Sequence, residues 1–192
     1  FLKGRDSASI PVLCVFDSEE VGSVSPQGAG SSLLEDTLGR ICDSLKLHRG
    51  RMLAQSFLVS ADNAHAVHPN HPEYADPSNA PVMGGGLVIK YNANLSYCTD
   101  SVSAGVFRKI CGRAGVRVQT YHNRADLPGG STLGRISLAH VSVPTVDIGL
   151  AQLAMHSCYE TAAVSDAIDL ENAMAAYYGA TLEATQTGFV IR

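Results

Sequence analysis

The sequence predicts an α/β fold, a three-layer sandwich around a mostly parallel or mixed sheet. Three observations predict it. Short β-rich apolar runs alternate with segments of helical periodicity, the alternation continues along most of the chain, and two of the apolar runs end in acidic residues. The 192 residues fall in the size range of one domain, and 45% hydrophobic content suffices for an ordinary core. No internal repeat, low-complexity tract or linker divides them.

Residues 10–16 form a short apolar run that reads as an interior strand, with Asp17, Glu19 and Glu20 at its carboxyl end. After a loop from Gly22 to Gly30, Leu34, Leu38, Ile41, Cys42 and Leu45 recur at helical spacing within residues 31–45. A second apolar run, 56–61, ends in Asp62 and repeats the pattern of a strand that presents an acid. Residues 64–86 are rich in His, Pro, Asn and Gly, which predicts a long surface excursion of the kind that carries function. Residues 86–91 read as a strand. Residues 99–114 read as an amphipathic helix with Val102, Val106, Ile110 and Cys111 on one side, and 116–121 as a returning strand. A Gly-Gly loop leads into a short helix over 132–140. A strand over 143–149 and a long helix over 165–178 complete the alternation.

Lys+Arg 14 against Asp+Glu 18 leaves a net charge of -4, which lacks the basic footprint of a nucleic-acid or anionic-membrane surface. No window approaches the length of an apolar membrane span, and the N-terminus lacks the basic-then-apolar pattern of a signal peptide. Five scattered cysteines (Cys14, Cys42, Cys98, Cys111, Cys158) fit reduced, buried thiols better than a disulfide framework. The expectation is a cytoplasmic protein without a nucleic-acid or membrane partner.

Open α/β sheets build sites at the carboxyl ends of strands, so Glu19, Glu20 and Asp62 are placed to converge. Adjacent carboxylates repel unless a cation compensates them, and one can ligate while its neighbour acts as a general base. Zinc would add imidazole, for which His65, His68, His71, His122, His140 and His156 are available; His156 lies just beyond a predicted strand. On spacing alone, a solvated acidic turn and a capping or core histidine remain the stronger account of these residues.

Several runs, in this order and across most of the chain, resemble the aspartyl aminopeptidase family of di-zinc metallopeptidases. They are Asp17-Ser18-Glu19-Glu20-Val21-Gly22-Ser23, Ser60-Ala61-Asp62-Asn63-Ala64-His65-Ala66-Val67-His68-Pro69-Asn70, Gly86-Leu87-Val88-Ile89-Lys90, Gly129-Gly130-Ser131-Thr132-Leu133-Gly134, and Asp147-Ile148-Gly149 through Gln152-Leu153-Ala154-Met155-His156-Ser157. The resemblance implies a zinc-peptidase fold and removal of N-terminal Asp or Glu from peptides by zinc-activated water. It makes Glu19 the general base and Glu20, Asp62 and His156 metal ligands, with Glu20 and His156 on one zinc and Asp62 on the other, two zincs per complete active site. Lys90 becomes the cation that meets an acidic substrate side chain, with Tyr97 and His65 adding hydrogen bonds. Gly130, Ser131 and Thr132 line the substrate site, a role compatible with an ordinary helix N-cap there.

The family also places a bridging aspartate and a further histidine upstream of the Asp-x-Glu-Glu run. Neither is visible, and residues 1–10 hold only Asp6, in an unlike context. The expectation is therefore that residues 1–192 are the C-terminal portion of the catalytic domain, without two of five ligands and without the dimerisation insert. Such a chain is expected to be inactive alone and to form a homo-oligomer when full length. An alternative from a different class is a catalytically silent fragment or pseudoenzyme that acts as an assembly module. A third keeps the enzyme class and changes the substrate, since related di-zinc folds include other aminopeptidases and deacylases.

Overall fold

The computed structural model describes residues 1–4 and 7–192. In chain order its elements are α1 (Leu33–Leu45), α2 (Arg49–Ala54), β1 (Leu58–Ala61), β2 (Ala64–His65), β3 (Leu87–Tyr91), α3 (Ser101–Arg113), β4 (Val118–His122), α4 (Leu133–His140), β5 (Thr145–Gly149), β6 (Ala151–Leu153), β7 (Thr161–Ala162), α5 (Val164–Gly179), β8 (Leu182–Ala184) and β9 (Phe189–Ile191). Asp6 lies outside the described residues.

The central sheet has the order β1-β5-β3-β4 and is mixed, as expected: β1 runs parallel to β5 and β3 parallel to β4, while β3 and β5 are antiparallel. Alternation of side chains along each strand divides the sheet into two faces. On one, Leu87, Ile89, Val146 and Ile148 pack with Phe107 and Cys111 of α3 and Ala173 of α5 into the main core. On the other lies α4, and there Gly134 approaches so closely that an added Cβ would sit 2.7 Å from both Asp147 Oδ1 and Ser60 Oγ. Leu34 of α1 joins Val141 and Val143 beneath this second layer. Helices on both faces of a sheet make the three-layer sandwich.

Two expectations change. Residues 10–16 belong to no strand among the described residues; Val15 is 83% exposed and Leu13 58%. β-rich composition marks a segment that fits a sheet, but a strand exists only where a neighbour's backbone pairs with it. The Glu19-Glu20 pair consequently caps no strand. It occupies a 3-10 turn, Glu19–Val21, closed by Ser23 N donating to Ser18 O at 2.8 Å. The cysteines also divide: Cys42 and Cys111 are buried, whereas Cys14 and Cys158 are exposed, and all five are free thiols. The short α2, β6 and β7 and the C-terminal β8–β9 hairpin lie outside the predicted elements, being too short for periodicity to register.

A buried carboxylate fixes where β3 begins. Asp166, fully buried at the start of α5, accepts from the amides of Gly84 at 2.7 Å and Gly86 at 3.0 Å. Both glycines have positive φ, 79° and 99°, which a side chain would oppose. Asp166→Ala strands both amides and is expected to lower stability by about 3 kcal/mol. In a domain of this size that is a drop of about 6–12 °C in Tm. Thermal melting reads it, and an unchanged midpoint would show that the turn stands without the carboxylate.

Candidate functional site

Because β1 and β5 are parallel, their carboxyl ends leave the sheet at the same edge. The first delivers Asp62 and Asn63; the second continues through β6 to His156. These two crossings are locked together. Asn63 Oδ1 accepts from Leu150 N at 3.2 Å, its amide donates to Gln152 Oε1, and β2 pairs with β6. Gly149 passes so near the Asp62 carbonyl that a Cβ there would collide with it, so glycine is required by close backbone approach.

The turn that holds the adjacent glutamates comes to the same place. His156 Nε2 lies 3.0 Å from Glu20 Oε2, with both side chains about two-thirds exposed. Of the expected metal-ligating residues, these two meet. Two non-glycine residues at this edge, Ala154 and His156, have φ of 56° and 67°, a conformation that crowds Cβ. The His156 amide donates to Glu160 Oε1 at 2.7 Å, and Ser157 N donates to Ala154 O at 3.0 Å, which together close the kink.

Glu19 stands beside them. Partial burial, then the charges of Asp62 and Glu20, push its carboxyl above the usual carboxylate range, against a smaller opposing pull from His156 and Lys90. His65 is held below the ordinary imidazole value, first by burial and then by His156 and Lys90. The His156–Glu20 and Lys90–Asp62 contacts bring two pairs of these residues to this edge.

Lys90 reaches this cluster from an unexpected direction. β3 is antiparallel to β5, so its carboxyl end points away from the edge, and the long lysine side chain extends back toward it. The residue is 1% exposed; its ammonium donates to Asp62 O at 2.8 Å and Asn63 O at 3.2 Å, and lies 3.7 Å from Asp62 Oδ2. It also sits 5.0 Å from the centre of the Tyr97 ring, a cation–π distance. Burial lowers its pKa, an effect countered by Asp62 and Asp147. Tyr97 is buried against Tyr121, and burial raises its phenol.

Gly130 and Ser131 are exposed, while Thr132 is buried at the N-cap of α4 with its hydroxyl given to Asp147 Oδ1 at 2.8 Å. On the surface excursion the His71 ring lies between those of His68 and Tyr74 in tilted contacts, and His122 stacks on Tyr91. Sequence reading missed Glu160 and the role of Asp147. The signal for Asp147 was present, since a lone carboxylate in an otherwise apolar strand must find hydrogen bonds.

An imidazole nitrogen touching a carboxylate oxygen is a donor set that fits zinc in kind. In number it is short: among the described residues no three His, Cys, Asp or Glu side chains gather closely enough to hold a metal ion. No helix among the described residues is long and apolar enough to cross a membrane.

Residues 3–179 match the family model described as "Aminopeptidase I zinc metalloprotease (M18)". The chain is 47% identical over 176 residues to "Probable M18 family aminopeptidase 2" of Mycobacterium leprae (strain TN), covering 90% of this chain and 41% of that protein. It is 45% identical over 166 residues to "Probable aspartyl aminopeptidase" of Ricinus communis, covering 84% and 34%. The chain thus spans well under half the length of these relatives. Among solved structures it resembles a chain of the Ape4 and Nbr1 complex, at a TM-score of 0.80 and 39% identity over 85% of this chain and 32% of that one. The S. cerevisiae mApe1 dodecamer matches at a TM-score of 0.71 and 27% identity, over 85% and 37%. With the family model matched over residues 3–179, the chain belongs to the M18 family of zinc metalloproteases.

Proposed function

We propose that the protein carrying this chain is a metal-dependent aminopeptidase that removes N-terminal Asp or Glu from peptides. The observation that carries the reading is the 3.0 Å contact of His156 Nε2 with Glu20 Oε2, beside a second glutamate whose carboxyl is pushed up. In this reading Glu20 and His156 hold one zinc and Asp62 contributes to a second. Zinc bound there supplies Lewis acidity toward water and the scissile carbonyl.

The protein's own groups do the rest. Glu19, adjacent to a ligand but not spent as one, takes the proton from the attacking water at its carboxylate and hands it to the departing amine. A carboxyl raised above its ordinary range is the stronger base for that transfer. Lys90 is the cation for the acidic side chain, with Tyr97 and His65 as hydrogen-bonding neighbours. Its support is a buried ammonium at the floor of the cluster, where low dielectric strengthens attraction to a carboxylate. Gly130, Ser131 and Thr132 form the loop that lines the substrate. The protein is read as cytoplasmic and as a homo-oligomer, the latter by analogy with the dodecameric relative.

A second reading, a silent assembly module, draws on the same metal chemistry. Two donors in contact make a weak site, and no third gathers with them among the described residues. Metal analysis of the intact gene product separates the two: about two zincs per protomer support the enzyme, and essentially none supports the module.

Three outcomes are expected from the enzyme. Glu19→Gln lowers kcat on an N-terminal Asp substrate by about 10²–10⁴-fold while leaving zinc content near wild type; a variant with full activity removes Glu19 from the chemistry. Chelation abolishes hydrolysis and added zinc restores it, and activity that survives chelation overturns the metal reading. Lys90→Ala reduces the preference for Asp over Leu substrates by tenfold or more with zinc still bound; an unchanged ratio moves acidic recognition elsewhere.

A further inference from the structure

Beyond the residues assigned to chemistry, one buried acid connects the parts of the site. Asp147 is 0% exposed in the middle of β5, on the face opposite Val146 and Ile148. Its Oδ1 accepts from Thr132 Oγ1 at 2.8 Å, and its Oδ2 accepts from the backbone amide of Cys98. Its own amide donates to Thr99 Oγ1 at 2.8 Å. The two segments it holds also meet each other, Thr132 N donating to Ser96 O at 3.4 Å.

Each segment ends in something the proposed reaction uses. The loop at Gly129–Thr132 displays Gly130 and Ser131 to solvent from a buried Thr132 anchor. The segment at Ser96–Thr99 carries Tyr97, whose ring covers the Lys90 ammonium at 5.0 Å. Lys90 in turn holds the carbonyls of Asp62 and Asn63. The antiparallel register that pairs Val88 with Gly149 and Ile89 with Ile148 brings Lys90 level with Asp147 on the same face, and the two charges act on each other. One carboxylate therefore aligns a substrate loop, a specificity cation and a candidate ligand loop.

The arrangement is tight. A methyl group on Gly134 would sit 2.7 Å from Asp147 Oδ1, so the N-terminal turn of α4 lies directly against the carboxylate. The Cys98 thiol is pushed up to about 12 by burial and by Asp147, which keeps it protonated and uncharged beside the acid. A carboxylate at this depth needs its hydrogen bonds, and the two donors above, the Thr132 hydroxyl and the Cys98 amide, supply one to each of its oxygens.

We propose that Asp147 is a positioning residue for the substrate: it sets the distance between the Gly130-Ser131 loop and the Tyr97-covered Lys90, and so governs substrate binding without touching the reacting atoms. This rests on the aminopeptidase reading. It differs from a general stabilising role because its effect falls on KM rather than on kcat: the carboxylate holds Thr132 and the Cys98 amide, and its hydrogen bonds include neither Glu19 nor the Glu20–His156 pair.

The test is steady-state hydrolysis of N-terminal Asp and Leu amides by the intact, zinc-loaded protein and by Asp147→Asn, Thr132→Val and Thr132→Ser, with thermal melting alongside. Asparagine keeps one carbonyl oxygen where the carboxylate offers two, so it can satisfy one of the two held segments. Asp147→Asn is expected to raise KM for the Asp substrate by about tenfold while kcat changes less than threefold, as loss of uniform binding does. Thr132→Val, which leaves the carboxylate in place and is the milder change should Asp147→Asn fail to fold, raises KM in the same direction. Thr132→Ser recovers most of that loss. A folded variant with unchanged KM, or a fall in kcat with unchanged KM, overturns the proposal, as does a Thr132→Val effect confined to Tm. A wild-type protein that hydrolyses neither amide overturns the aminopeptidase reading itself and this inference with it, an outcome distinct from a working enzyme whose variants keep their KM.

Discussion

The Lys90 ammonium, closed off from solvent and shared between the carbonyls of Asp62 and Asn63, is the interaction on which the geometry of the site depends. Removing such a group from water costs several kcal/mol, and only close acceptors and opposite charge offset it. Here the acceptors are main-chain atoms of the loop leaving β1, with Asp62 and Asp147 as the charges. The loop is thereby held by its backbone, so Asp62 can point its carboxylate into the edge without also having to anchor itself. The Tyr97 ring adds a cation–π contact at 5.0 Å.

Sheet direction explains why the lysine and not a shorter residue occupies this position. With β3 running against β5, the residue level with Asp147 lies below the functional edge. Four methylenes span that gap while packing along apolar surface. The parallel pairing of β1 with β5 places the crossings that deliver Asp62 and His156 side by side, where the Asn63 amide and the narrow passage at Gly149 tie them together.

Much of this was legible before the structure. Strong periodicity located α1, α3, α4 and α5 to within a few residues, because an amphipathic helix writes its buried face into the spacing of Leu34, Leu38 and Leu45 or of Val106, Ile110 and Cys111. The pairing of Glu20 with His156 followed from the family resemblance of their motifs rather than from periodicity. What escaped was whatever depends on a distant partner. Residues 10–16 have the composition of a strand, yet pairing is a property of two segments and cannot be read from one. Strand direction is equally silent in sequence, so the antiparallel approach of Lys90 was hidden. Glu160 was invisible because its contribution is one hydrogen bond to the backbone of a kink.

That kink carries a consequence of its own. With Ala154 and His156 both in the left-handed region, a cost of roughly 1–2 kcal/mol per residue is built into the loop. Since the His156 ring is mostly exposed, packing contributes little to its orientation; the path of the main chain aims it. The Glu160 carboxylate and the Ser157 hydroxyl brace that path by accepting from the His156 and Tyr159 amides, so side chains that never touch the imidazole direct it at Glu20.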